Sequence, residues 1–303
     1  MSYKKIISII IVCLSLSIIT KAQDDLLSGV EKNDNKKEYV NNAFKSSRVI
    51  NGHSMEFIGK GVMDVRILHR FGYVNTGFQE LFGLDKASMR MGFDYGLSKD
   101  LTIGIGRSTF NKEFDGFIKY RPIQQSVGGK SPSPVSVVLV SGITIRGDQL
   151  EFSGKKVAFV DRMAYYNEII VGRKFSENFS AQLAPTHVHT NLVIVEKGAS
   201  YTNDFFALGI GARYKLSKRT AFVVDYHYLV KDEESSQFEK MKNPLAIGFD
   251  IETGGHVFQL HFSNSNGMNE KAFITNTAHT WGKGEVSFGF NLSRVFTVSH
   301  KKI

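Results

Sequence analysis

From about Val62 to the C-terminus the chain repeats one pattern, apolar side chains at every second position opposite small or polar ones, interrupted by turns. In LTIGIG, Leu101, Ile103 and Ile105 point one way and Thr102, Gly104 and Gly106 the other. DFFALGIGARYK sets Phe206, Leu208, Ile210, Ala212 and Tyr214 against Ala207, Gly209, Gly211, Arg213 and Lys215. AFVVDYHY, LAIGFDI and VSFGFNLS repeat the arrangement. A period of two belongs to strands and not to helices. The pattern predicts twelve strands, near 61–70, 87–97, 101–108, 113–123, 135–146, 162–174, 179–190, 204–216, 219–230, 244–252, 255–263 and 284–298. Several are close to the roughly 9 to 11 residues that a tilted strand needs to cross a bilayer. Segment 162–174 alternates poorly and leaves its faces unassigned.

The connections alternate as well. Short turns follow the second, sixth, eighth and tenth strands, at LSKD (97–100), FSENF (175–179), LSKR (216–219) and ETGGH (252–256). Longer stretches lie between them, at 71–86, 147–161, 191–203, 231–243 and 264–283. The exceptions are the short connection at 109–112 and the longer GGKSPSP turn at 128–134. An even strand count with short turns at one rim and long loops at the other predicts a closed antiparallel transmembrane β-barrel in the outer membrane, its long loops extracellular.

A soluble β-sandwich would put its apolar face in a core and its polar face in water. Here the face opposite the apolar one mixes glycine and alanine with charges of both signs, which suits a confined lumen. The residues placed there are Asp64, Arg66, Arg70, Arg90, Asp94, Asp115, Lys119, Arg121, Arg213, Asp225, His227, Asp250, Gln259, His261 and Ser263. Aromatics such as Phe93, Tyr95, Tyr120, Tyr214, Phe222, Tyr226 and Tyr228 lie toward strand ends, as interfacial girdles do. The 24 Phe, 11 Tyr and 28 Gly against five Pro fit strands with aromatic ends.

Lys4 and Lys5 precede an apolar run, Ile6 to Ile19, and small residues at Thr20 and Ala22, the three-part layout of a secretory leader over 1–22. Cys13, the only cysteine, falls inside that run, so a cleaved chain has no disulfide or thiolate chemistry. Residues 23–58 lack sustained periodicity and are rich in Asp, Asn, Lys and Ser; they read as a loosely ordered periplasmic arm before a barrel over 59–303. The formal charge of +9 loses three leader lysines, and no basic cluster interleaved with aromatics suggests nucleic acid. No cofactor fingerprint is present. The expected partners are outer-membrane lipid, the barrel-insertion machinery, and a small solute or a periplasmic protein.

Five phrases, GKGVMDVRILHRFG (59–72), FGLDKASMRMGFDYGLSKDLTIGIGRS (82–108), DGFIKYR (115–121), ETGGHVFQLHFSNSNGMNEKAFI (252–274) and WGKGEVSFGFNLSRVF (281–296), resemble a family of Bacteroidota-type outer-membrane β-barrel proteins of uncharacterised function. The resemblance implies the fold and the membrane, not a substrate. Phe296 stands near the end, as aromatics do in barrel-insertion signals, although a basic tail follows it.

His261, Ser263 and Asn264 resemble the H-x-S-N core of outer-membrane phospholipase A and the lipid A deacylase, which implies a histidine base, a serine nucleophile and an esterase reading. Glu270 or Asn276 would then orient the imidazole, but the alternation aims His261 and Ser263 into the lumen, away from lipid. A lumen-wall role is the expectation. His187 and His189 share a face and His69 stands apart, with no carboxylate at close spacing, so no metal site is assigned. The inward arginines and aspartates fit either an anion-selective bore or a salt-bridged, filled lumen, the second being preferred. GFQELFG (77–83) reads as a short amphipathic helix at the mouth. The function classes that remain are a small-solute or lipid-related transport element and a structural or partner-docking barrel.

Overall fold

The computed structural model describes residues 36–148, 151–152, 155–192, 201–232 and 235–298. The leader over 1–22, the first part of the arm and the last residues of the basic tail lie outside the described residues. Twelve antiparallel strands close into one barrel. They are β1 (Val62–Tyr73), β2 (Ala87–Ser98), β3 (Leu101–Ser108), β4 (Phe114–Ile123), β5 (Ser136–Ile145) and β6 (Met163–Lys174), then β7 (Phe179–Thr190), β8 (Asp204–Lys215), β9 (Thr220–Val230), β10 (Leu245–Thr253), β11 (His256–Ser263) and β12 (Ser287–Thr297). Each strand pairs with its sequence neighbour, and β12 closes on β1 from Ser287 opposite Tyr73 to Thr297 opposite Val62. Closure leaves no edge, which in hydrocarbon is a requirement, because an unpaired backbone group there costs several kcal/mol. No described helix is long and apolar enough to cross a membrane.

Outward positions carry exposed apolar side chains, among them Ile103, Ile105, Ile118, Leu139, Ile169, Phe206, Phe249 and Leu260. In β6, Ala164, Tyr166, Glu168, Ile170 and Gly172 point inward and Tyr165, Asn167, Ile169 and Val171 outward. The weak alternation there has a physical cause. Part of the inner wall from β5 to β9 is itself apolar, with Val138, Val140, Tyr166, Ile170, Val188, Phe205 and Leu229 in one buried cluster.

That cluster exists because the chain fills its own lumen from both ends. Residues 43–58 form a hairpin in which Val49 N–H donates to Gly52 O at 2.9 Å, Ser54 N–H donates to Ser47 O at 3.0 Å, and Arg48 bridges His53. The hairpin is buried, including Ala43, Phe44, Val49, Ile50 and Met55. The loosely ordered arm read from the sequence is thus corrected over 43–58. Its Ser, Asn and Arg side chains meet polar lumen walls and not water. The arm is also fastened below: Glu38 and Tyr39 pair with Val127 and Ser126, just before the long turn that broke the short-turn rule.

From the long-loop end, the β11–β12 connection folds inward. Its helix α2 (Glu270–Thr275) follows a four-residue helix α1 (Gln237–Lys240) in the preceding long loop. The Asn269 side chain caps α2 by accepting from Ala272 N–H at 2.8 Å and donates to Glu113 at 2.9 Å. Phe273 and Ile274 are fully buried, and the Phe273 ring lies 4.6 Å from that of His227. GFQELFG is a pair of 3-10 turns, not an amphipathic α-helix. Leu81 and Phe82 take φ of 44° and 54°, and Phe78, Leu81 and Phe82 stand exposed.

Inward glycines mark where large side chains lie against the wall. A Cβ on Gly142 would fall 2.2 Å from the Tyr166 ring, and one on Gly172 2.3 Å from Met55 Sδ. Outward Gly116 has nothing nearer than 3.6 Å. Gly142→Val is therefore expected to destabilise the barrel by about 1–3 kcal/mol through overpacking, whereas Gly116→Val stays within about 0.5 kcal/mol. Urea unfolding in detergent, followed by Trp281 fluorescence and heat-modifiable gel migration, compares them.

Candidate functional site in the lumen

The hairpin presents backbone groups that need partners, and side chains from around the wall supply them. The Asp225 carboxylate on β9 accepts N–H bonds from Ile50, Asn51 and Gly52 at 3.2, 2.7 and 3.0 Å. Gln182 on β7 accepts from Met55 N–H at 2.9 Å and donates to His53 O at 2.6 Å. Gln259 on β11 donates to Val49 O at 2.5 Å, and Asn291 on β12 donates to Ile50 O at 2.9 Å. Lys119 on β4 donates to Ser47 O and Glu56 O at 3.2 and 2.7 Å. Five strands thus hold one hairpin through its main chain.

Charged side chains complete the seat. Arg66 donates to the hydroxyls of Ser46 and Ser47 at 2.7 and 2.5 Å and lies 3.4 Å from Asp64 and 3.9 Å from Asp94. Arg70 donates to Asn51 and Asn291 at 2.8 and 2.9 Å. Arg90 pairs with Asp115, its Nε at 2.9 Å, and Arg213 lies 3.6 Å from Asp250. Arg121 pairs with Asp100 at 2.9 Å near the short-turn rim. His227 sits 3.4 Å from Asp225. Every lumen-side residue read from the alternation is buried here, and most touch the hairpin or one of its immediate partners.

The hairpin and the inward loop meet at one point. Arg48 donates to Asn51 O and to Glu270 Oε1, both at 2.7 Å. His53 Nε2 lies 3.5 Å from the same carboxylate, 3.4 Å from Arg48 and 3.3 Å from the Tyr166 hydroxyl. Glu168 of β6 stands beside them. Sequence reasoning did not single out Arg48, His53, Glu168 or Gln182, and it weighed Glu270 only as a histidine orienter. Asn51–Gly52 after apolar Val49–Ile50 is a turn signal that could have revealed the hairpin. Nothing local marks Glu168 as functional.

His261 and Ser263 are buried in this filled lumen. The Ser263 hydroxyl accepts from Ser265 N–H at 3.0 Å, and neither His261 ring nitrogen has a hydrogen-bond partner among the described residues. Asn264 is engaged structurally, accepting from Leu245 N–H at 2.8 Å and donating to Asn243 O and His279 O. His187 and His189 lie on the outer wall and share Asp204 Oδ1 at 2.8 and 2.9 Å. His69, also outward, stacks on Phe290 at 4.9 Å.

Breaking the junction has an expected cost. Arg48→Met leaves the Glu270 carboxylate buried without its partner and should destabilise the folded chain by about 3–5 kcal/mol. Arg48→Met combined with Glu270→Leu should recover most of that loss. Unfolding of the two single variants, the double variant and the parent in one detergent tests the coupling.

Among solved structures the chain is similar to the NanC porin, at 10% identity and a TM-score of 0.50 over 77% of this chain and 98% of that one. The outer membrane channel DcaP of Acinetobacter baumannii follows at 9% identity, a TM-score of 0.36, and 80% and 99% coverage. LpxR from Salmonella typhimurium shares 12% identity at a TM-score of 0.32, covering 78% and 99%. Likeness at this identity concerns the fold alone. A search of curated proteins finds no match. The membrane bound beta barrel domain family (DUF5777) matches residues 44–296, from the hairpin through β12, and the chain belongs to that family.

Proposed function

We propose that this protein is a gated outer-membrane transport element of the Bacteroidota type for a small or lipid-related solute, closed here by its own N-terminal hairpin. The long loops face the exterior, and the arm preceding the hairpin lies in the periplasm. The observation that carries the reading is the polar attachment of residues 43–58. The hairpin is held by hydrogen bonds and an ion pair from side chains that water could replace, not only by apolar packing.

With the hairpin withdrawn, the wall facing the bore would have two characters. One side carries Asp64, Arg66, Arg70 and Arg90, and the other Val138, Val140, Ile170 and Val188. Such a bore suits a solute with a polar and an apolar part. Rings of charge select permeants by sign, and paired charges of both signs pass dipolar or weakly charged ones. No catalytic step is part of this reading.

Planar-bilayer recordings of the parent chain and of a variant lacking residues 43–58 test it. The parent is expected to be closed for most of the record and the variant to show discrete conductance steps. A folded, heat-modifiable variant that conducts no better than the parent overturns the proposal and favours a structural or partner-docking barrel.

A further inference from the structure

The junction of hairpin, wall and loop carries more than an ion pair. Among the described residues the buried charges are seven cations, Arg48, Arg66, Arg70, Arg90, Lys119, Arg121 and Arg213, and eight carboxylates, Asp64, Asp94, Glu113, Asp115, Glu168, Asp225, Asp250 and Glu270. Glu168 stands outside the ion pairs of the lumen. It has no ion-pair partner among the described residues, and its Oε2 has no hydrogen-bond donor. Glu270 Oε2 and His53 Nδ1 are also buried without partners. An uncompensated carboxylate in such a place is costly.

One ligand atom each from His53, Glu168 and Glu270 lies within 4.8 Å of the others, and all three residues are buried. We propose that these residues form a site for a divalent first-row metal ion of the zinc or manganese class. An imidazole nitrogen and two carboxylate oxygens are a donor set that such ions accept. Ligand atoms about 2.0–2.2 Å from one tetrahedral ion lie about 3.3–3.6 Å apart, so binding draws groups now up to 4.8 Å apart together by about 1 Å. Arg48 does not displace the ion. It holds Glu270 Oε1 at 2.7 Å, and the carboxylate offers its second oxygen. The guanidinium then orients the ligand from outside, as partners of metal-bound carboxylates do.

The three ligands come from the hairpin, strand β6 and helix α2, so the ion fastens the parts that close the lumen. A ligand bound only by the closed arrangement stabilises it. The proposal concerns the seated hairpin and stands whether or not the barrel conducts.

The test uses tag-free full-length protein, stripped with a chelator and dialysed against zinc. Elemental analysis and calorimetric titration are run on the parent, Glu168→Gln, His53→Gln and a His187→Asn/His189→Asn control for the outer-wall histidines. The expected result is one zinc per chain in the parent and control, and at least a tenfold loss of affinity in the two lumen variants. Zinc binding absent from the parent overturns the proposal. So does binding unchanged in Glu168→Gln, or lost in the outer-wall control instead. Heat-modifiable migration confirms that each variant is folded, and the parent measurement stands even if one is not.

Discussion

A chain that enters a barrel lumen must satisfy its own main chain there, and this requirement organises the interior. The hairpin at 43–58 meets it with wall side chains. Asp225 takes three consecutive N–H groups, and Gln182, Gln259, Asn291 and Lys119 engage further main-chain groups. A buried backbone group without a partner costs about as much as a lost hydrogen bond, so the wall residues and the hairpin define one another. Inward charges that would look excessive in an empty pore become the fittings of an occupied one.

Strand number explains why occupation is needed. A barrel of about eight strands is filled by its own side chains. Twelve strands enclose more space, and many inward positions here are glycine or alanine. The hairpin and the loop around α2 take up that space, one from each rim. Apolar wall residues gather where Phe273, Ile274, Val49 and Met55 press against them, while Asp64, Arg66, Arg70, Arg90, Asp94 and Asp115 line β1, β2 and β4. The interior is therefore a core assembled from separated pieces of sequence, with Arg48 and Glu270 at the seam.

Much of this was legible beforehand because a strand declares itself locally. Leu101, Ile103 and Ile105 set the faces of β3 without reference to any neighbour, and the closed antiparallel fold follows from twelve such segments. Inward placement of Arg66, Asp94 and Asp225 came from the same alternation. The hairpin was not legible in this way. Its polarity, which suggested solvent, is matched by partners at sequence separations such as 175 and 241 residues, and no local rule reports those. The amphipathic reading of GFQELFG failed because backbone turns at Leu81 and Phe82 break the helical period. Segment 162–174 resisted assignment because Tyr166 and Ile170 face an apolar interior that other parts of the chain create.

Residues 43–58 are seated in the lumen of the folded barrel. Amide hydrogen exchange of the detergent-folded protein reads this seating most directly, at the N–H groups of Ile50, Asn51 and Gly52. These amides are expected to exchange as slowly as those in the middle of β9 and β11. Exchange at the rate of an unstructured peptide, in a barrel whose strand amides remain protected, would contradict it.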